Sequence, residues 1–261
     1  MTSPLRVGGT PSVLFYSGPP FGLELYEHVL ERLGHGEAHS VIDSHASGHG
    51  WAERAQVIAE QLQRAPTVLV GHGLAVPAAI AAALMTPPAA LVLSNGPVRR
   101  LDPFARALAG LCATRGGAAV AQRSVLLPRP WLGWLASSAG LRRAAVNPYV
   151  MDRDTVAALC GPLVASGAGR AAVASYLGSL RTLPDATALK CPVLLLWGDA
   201  DPLYPAEEAA FLEAALPGAE HRSVPGGQHV HPEERPWEMA DRLAAWLAEK
   251  GLAPAAATRM S

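Results

Sequence analysis

Short apolar runs alternate with amphipathic stretches along most of this chain. SVLFYS (12–17) is an apolar run ending in Gly-Pro-Pro and predicts a buried strand, and FGLELYEHVLERLG after it has helical spacing. HSVID (39–43) predicts a second strand, followed by a loop rich in Ser, Gly and His up to Gly50. A polar-faced helix is expected over 51–64. Next comes a β-run at Val68, Leu69 and Val70 that meets a glycine turn and an alanine-rich helix, and AALVLSN (89–95) predicts a fourth strand. From about Val98 to Ala186 the spacing is helical, broken by Pro, Trp and Gly, with no convincing strand. CPVLLLWGDAD (191–201) restores a buried strand and GAEHRSVPGG (218–227) offers a short one. WEMADRLAAWLAEK closes as an amphipathic helix with Trp237, Ala240, Leu243, Ala244 and Leu247 on one face.

Strand–helix pairs in this order imply right-handed crossovers, and hence an α/β fold with a mainly parallel, doubly wound sheet. Residues 1–97 and 187–251 are expected to form one discontinuous core, 98–186 an inserted helical lid, and 252–261 a frayed tail. No internal repeat is visible.

Composition narrows function more than fold. Half of the 261 residues are hydrophobic and 16% are charged, which provides a large core and argues against disorder. A net charge of −1 gives no electrostatic case for nucleic acid or an anionic membrane. There is no run of about 20 apolar residues, and MTSPLRVGGTPSVLFYSG lacks a basic-then-apolar layout. Cys112, Cys160 and Cys191 are an odd, scattered set that fits reduced thiols in a cytoplasmic protein. The expected partner is therefore a small-molecule substrate, with no nucleic acid and no membrane; oligomeric state is not legible.

Three stretches carry candidate chemistry. LVGHGLAVPAAIAAAL (69–84) is a strand, a tight turn and a helix, with Gly73 in the turn. LLLWGDADPLYP (194–205) sets Asp199 and Asp201 just past a buried strand, and PGGQHVHPEERPW (225–237) puts His229 in a glycine turn before the final helix. Elbow, then acid, then histidine is the chain order of a hydrolytic triad. His229 and His231 could also read as a metal pair, but no third ligand has comparable spacing, so neither metal nor other cofactor is expected.

These stretches together resemble the α/β-hydrolase superfamily, over nearly the whole chain apart from the lid. The family's W-G-x-x-D-x-x-x-P motif matches Trp197, Gly198, Asp201 and Pro205, which makes Asp201 the acid and Asp199 the lesser candidate. Its G-x-x-H segment matches Gly226 to His229, which makes His229 the base, and DSHASGHG resembles its D-x-P-G-H-G loop. Two departures matter. The G-x-S-x-G elbow has Gly73 where the family carries serine, cysteine or aspartate. The family's His-Gly-x, whose x amide helps bind an oxyanion, reads Ser17, Gly18, Pro19, Pro20 here, and proline has no N–H. Leu74 and Gly18 are what remains of an anion site.

With both acyl-transfer parts lost and the acid–base pair readable, the resemblance implies that Asp201 holds His229 as a general base. The expected substrate is small and hydrophobic or aromatic, undergoing elimination, isomerisation, cyclisation, C–C cleavage or cofactor-free oxygenation. Two alternatives stay open: an esterase-type serine hydrolase inactivated at Gly73, and a non-catalytic pseudo-hydrolase that kept its pocket. Trp131, Trp134, Tyr149 and Tyr176 are expected to line that pocket from the lid, with Ser17, Pro19, His72 and Ser94 at its floor and rim. His45 and His49 read as exposed loop residues.

Overall fold

A computed structural model describes residues 11–33, 39–42 and 50–253. Among the described residues six strands form one parallel sheet: β1 (Ser12–Tyr16), β2 (His39–Ile42), β3 (Thr67–His72), β4 (Ala90–Ser94), β5 (Val193–Gly198) and β6 (Glu220–Val224). Their spatial order is β2-β1-β3-β4-β5-β6. The continuous apolar runs of β3, β4 and β5 are buried throughout, as parallel strands covered on both faces must be.

Between strands run α1 (Glu27–Leu33), α2 (Trp51–Leu62) and α3 (Val76–Met85). α4 (Pro103–Cys112), α5 (Arg115–Arg123), α6 (Pro128–Leu135), α7 (Arg153–Ala165) and α8 (Gly167–Ser179) are inserted between β4 and β5, with no strand among them. α9 (Ala206–Ala215) follows β5, and α10 (His231–Glu234) and α11 (Pro236–Glu249) end the described chain. The hydrophobic pattern did not predict α9 or the short α10. α1 packs on α11 and α2 on α3, while α4, α5 and α7 all rest on α8. Asp102, Asp152 and Ser166 cap α4, α7 and α8 by accepting from backbone N–H groups of the first turn.

One predicted face is corrected. Trp237 is 55% exposed and Ala244 is also exposed; the buried stripe of α11 is Met239, Ala240, Leu243, Trp246 and Leu247. Pro236 before it is already buried, so Trp237 is exposed because the buried stripe is rotated toward Met239 and Trp246. Asp43, the loop carrying His45 and His49 with its D-x-P-G-H-G resemblance, and residues 254–261 lie outside the described residues. No single helix among the described residues is long and apolar enough to cross a membrane.

Because all six strands run the same way, their carboxyl ends share one edge. The chain order reverses between β1 and β3, and the crevice beyond that switch point is where open α/β sheets bind ligands. Ser17–Gly18, Gly73, Asn95 and Asp201 all follow strand ends on this edge.

Candidate active site

The turn after β3 is a true elbow. Gly73 has φ +57°, in the left-handed region where glycine carries no steric penalty, and a 3₁₀ turn over Gly73–Ala75 leads into α3. A Cβ built on Gly73 would lie 3.3 Å from His229 Nε2 and 3.4 Å from its Cε1. Gly18 is needed for close approach, since a Cβ there would fall 2.6 Å from the Ala75 nitrogen. The turn after β1 is thereby pressed against the elbow, with Pro19 beside it.

Asp201 and His229 meet as the motifs imply. His229 Nδ1 lies 3.0 Å from Asp201 Oδ2, and both residues are 3% exposed. The carboxylate can only accept, so Nδ1 carries the proton and the Nε2 lone pair faces Gly73. Asp201 is held by two further donors: Asn95 Nδ2 at 2.8 Å to Oδ2, and the Leu203 N–H at 2.7 Å to Oδ1. Asp199 instead braces the turn before His229, accepting from Ser223 Oγ and the Gly226 N–H.

Asn95 is a site residue whose role here sequence reasoning missed. Its φ is +37°, and its side chain accepts from the Gly198 N–H at 2.7 Å while donating to Asp201. It thus ties the end of β4 to the end of β5 and aims the acid. Asparagine tolerates the left-handed region, which is the signal that LSNGP carried.

Beneath His229 lies a second layer of buried polar groups. His72 Nδ1 is 3.1 Å from Ser94 Oγ, which is 3.2 Å from His231 Nε2, and His231 Nδ1 is 3.0 Å from the Gln228 carbonyl. The carbonyl fixes the proton on His231 Nδ1, so Ser94 donates to Nε2 and His72 donates to Ser94. Burial pushes the His72 pKa well down, assisted by the nearby His229 and His231. Burial also lowers His231 to about 4. Both rings are neutral, so an imidazolium forming at His229, 5.0 Å from His72 between ring centres, meets no like charge there.

This layer corrects several expectations. His72 and Ser94 are buried behind His229 rather than lining the pocket, and Ser94 is not at its rim. His231 turns into the core, so the two histidines of H-x-H do not share a side. Ser17 is buried with its hydroxyl directed at the Phe21 and Gly22 carbonyls. Tyr149 is 81% exposed with Arg142 over its ring, and it does not line the His229 cavity. Tyr176 is fully buried and its hydroxyl donates to the Leu74 carbonyl at 2.5 Å, so it supports the elbow from α8 without lining the cavity.

Pro19, Leu74, Trp131 and Trp134 do line it, together with His229 and Phe104. The cavity is small and largely apolar, with about 60 Å³ open to the centre of a water molecule. Phe104 and Trp134 stack at 3.6 Å between ring centres, forming an aromatic wall. Arg143 and Asp102, 3.9 Å apart, are its charged lining groups. The three cysteines are free, and burial raises the Cys191 thiol pKa to about 11 and pushes Cys112 and Cys160 upward as well.

The Gly73 turn, Asp201 and His229 thus share one sheet edge, and residues 8–246 match the model of the alpha/beta hydrolase family. The chain belongs to the alpha/beta hydrolase family. No curated protein matches it. Among solved structures it is similar to an esterase from Thermogutta terrifontis, at 21% identity and TM-score 0.69, covering 93% of this chain and 91% of that one. It is similar also to MenH from S. aureus, at 14% identity and TM-score 0.71, covering 94% and 96%. Haloalkane dehalogenase DbeA from Bradyrhizobium elkani matches at 18% identity and TM-score 0.66, covering 94% and 92%. At these identities the likeness is one of fold, and a fold shared by an esterase and a dehalogenase does not choose the reaction.

Proposed function

We propose that this protein is an enzyme in which His229, oriented by Asp201, acts as a general base on a small hydrophobic or aromatic substrate without a covalent intermediate. The observation that carries the reading is the pairing of an intact, buried dyad with an elbow that offers no nucleophile. His229 lines the apolar cavity, and its Nε2 lies 3.3 Å from where a Cβ on Gly73 would sit. Pro19 has no N–H for an oxyanion, which argues against efficient ester or amide hydrolysis. Proton abstraction needs neither missing part. A base held in this way contributes about 10² to 10⁴-fold.

The aromatic wall of Phe104, Trp131 and Trp134 supports an apolar or aromatic substrate body. Asp201 keeps the proton on Nδ1 and stabilises the imidazolium once Nε2 has taken the substrate's proton.

The test is deuterium uptake from D₂O into a panel of aromatic ketones and β-keto compounds, followed by NMR. Uptake that is lost in His229→Ala supports the reading. No uptake by any compound, together with ester hydrolysis by Gly73→Ser at ordinary esterase rates, overturns it in favour of a hydrolase impaired at one position. A chain that does neither is a binding protein.

A further inference from the structure

A second hollow lies on the far side of α4 from the His229 cavity. Arg106, Ala109 and Gly110 of that helix face it, whereas Phe104, Ala105 and Leu108 face His229, so α4 is the wall between the two. It is roomier, with about 650 Å³ open to the centre of a water molecule. Four arginines line it, Arg99, Arg100, Arg106 and Arg181, and no carboxylate does.

Arg99 is already committed. It donates to Glu208 Oε1 at 2.9 Å and to the Glu207 carbonyl at 3.2 Å, and it lies over the Phe211 ring. Glu208 is itself 1% exposed, with Oε2 taken by the Val98 and Arg99 N–H groups. Arg100 reaches Glu208 only at 3.9 Å and is 70% exposed. Arg106 and Arg181 are exposed and have no ion pair among the described residues. Three guanidinium groups are thus left with little compensation around one concave surface. Their mutual repulsion favours a bound anion, and their forked donors match phosphate oxygens two at a time.

We propose that this hollow binds a small organic diphosphate. Three available positive charges match the roughly three negative charges of a terminal diphosphate at neutral pH. Leu183 and Pro184, both half-buried, provide apolar surface for the organic part. A concave site on a chain of net charge −1 suits a small molecule better than a polyelectrolyte, which needs an extended basic face.

Isothermal titration at physiological ionic strength tests this with ADP, inorganic pyrophosphate, single-stranded DNA and vesicles containing a phosphoinositide. ADP and pyrophosphate are expected to saturate one site, with affinity falling roughly tenfold or more in Arg106→Ser/Arg181→Ser. Arg100→Ser gives the same direction should the double variant fail to fold. His229→Ala is expected to bind as the unaltered protein does, which separates this site from the reading at His229. Absence of saturable binding by both diphosphates, binding unaffected by the arginine substitutions, or tighter binding of DNA or vesicles than of ADP overturns the proposal.

Discussion

His229 Nε2 lies 3.3 Å from where a side chain on Gly73 would begin. A serine there would carry its hydroxyl one bond further, within reach of His229 Nε2. The departure at Pro19 is independent of this. We expect Gly73→Ser to fold, at a cost of order 1 kcal/mol for a Cβ at positive φ, and to hydrolyse p-nitrophenyl acetate only slowly. Adding Pro19→Ala restores an N–H and is expected to raise that rate by about 10²-fold, the value of one oxyanion donor. Equal rates in the single and double variants would place Pro19 away from the oxyanion.

Asn95 bridges Gly198 and Asp201 from a buried position, 106 residues before the acid it holds. Asn95→Ala removes its bonds to Gly198 and Asp201 and leaves the Gly198 N–H without its partner, at an expected cost of about 2–4 kcal/mol by urea titration. Any His229-dependent proton exchange is expected to fall with it, because Asp201 loses its aim. An Asn95→Ala chain of unchanged stability would mean that the bridge does not form.

The contrast between Asp201 and Asn95 shows what was legible beforehand. Asp201 lies just past an apolar strand and His229 in a glycine turn before the last helix, and it was the resemblance to the family's motifs around them that singled out these two residues. The central strands β3, β4 and β5 were legible because a parallel strand buried on both faces reads as a mostly apolar run. Asn95 acts through a partner on another strand, and the His72–Ser94–His231 layer joins three segments; no local spacing encodes either. Tyr149 and Tyr176 failed from a related cause. Aromatic residues in a helical insertion can face solvent, cavity or core, and only the packing of α8 against the elbow sends Tyr176 inward.

That packing leads to a prediction of its own. Tyr176 donates from α8 to the Leu74 carbonyl at the elbow. Tyr176→Phe keeps the ring but leaves that carbonyl without this donor, and a loss of about 1–3 kcal/mol is expected in urea unfolding. A neutral substitution would show that α8 does not support the elbow through this bond.

The buried neutral histidines make stability depend on pH. In the unfolded chain His231 takes up its proton near pH 6.5, whereas in the folded protein it does so only near 4. As pH falls from 6.5 towards 4 the unfolded state therefore binds a proton that the native state refuses, and stability declines. Below about 4 this contribution flattens. His231 alone accounts for about 3 kcal/mol over that interval, and His72, also depressed, acts in the same direction. Carboxylates add to the decline at the acid end, so the comparison is with His231→Gln, which is expected to decline less between pH 6.5 and 4. Parallel curves for the two proteins would mean that His231 is charged in the native state. Ser94 would then accept a hydrogen bond from His231 Nε2 instead of donating to it.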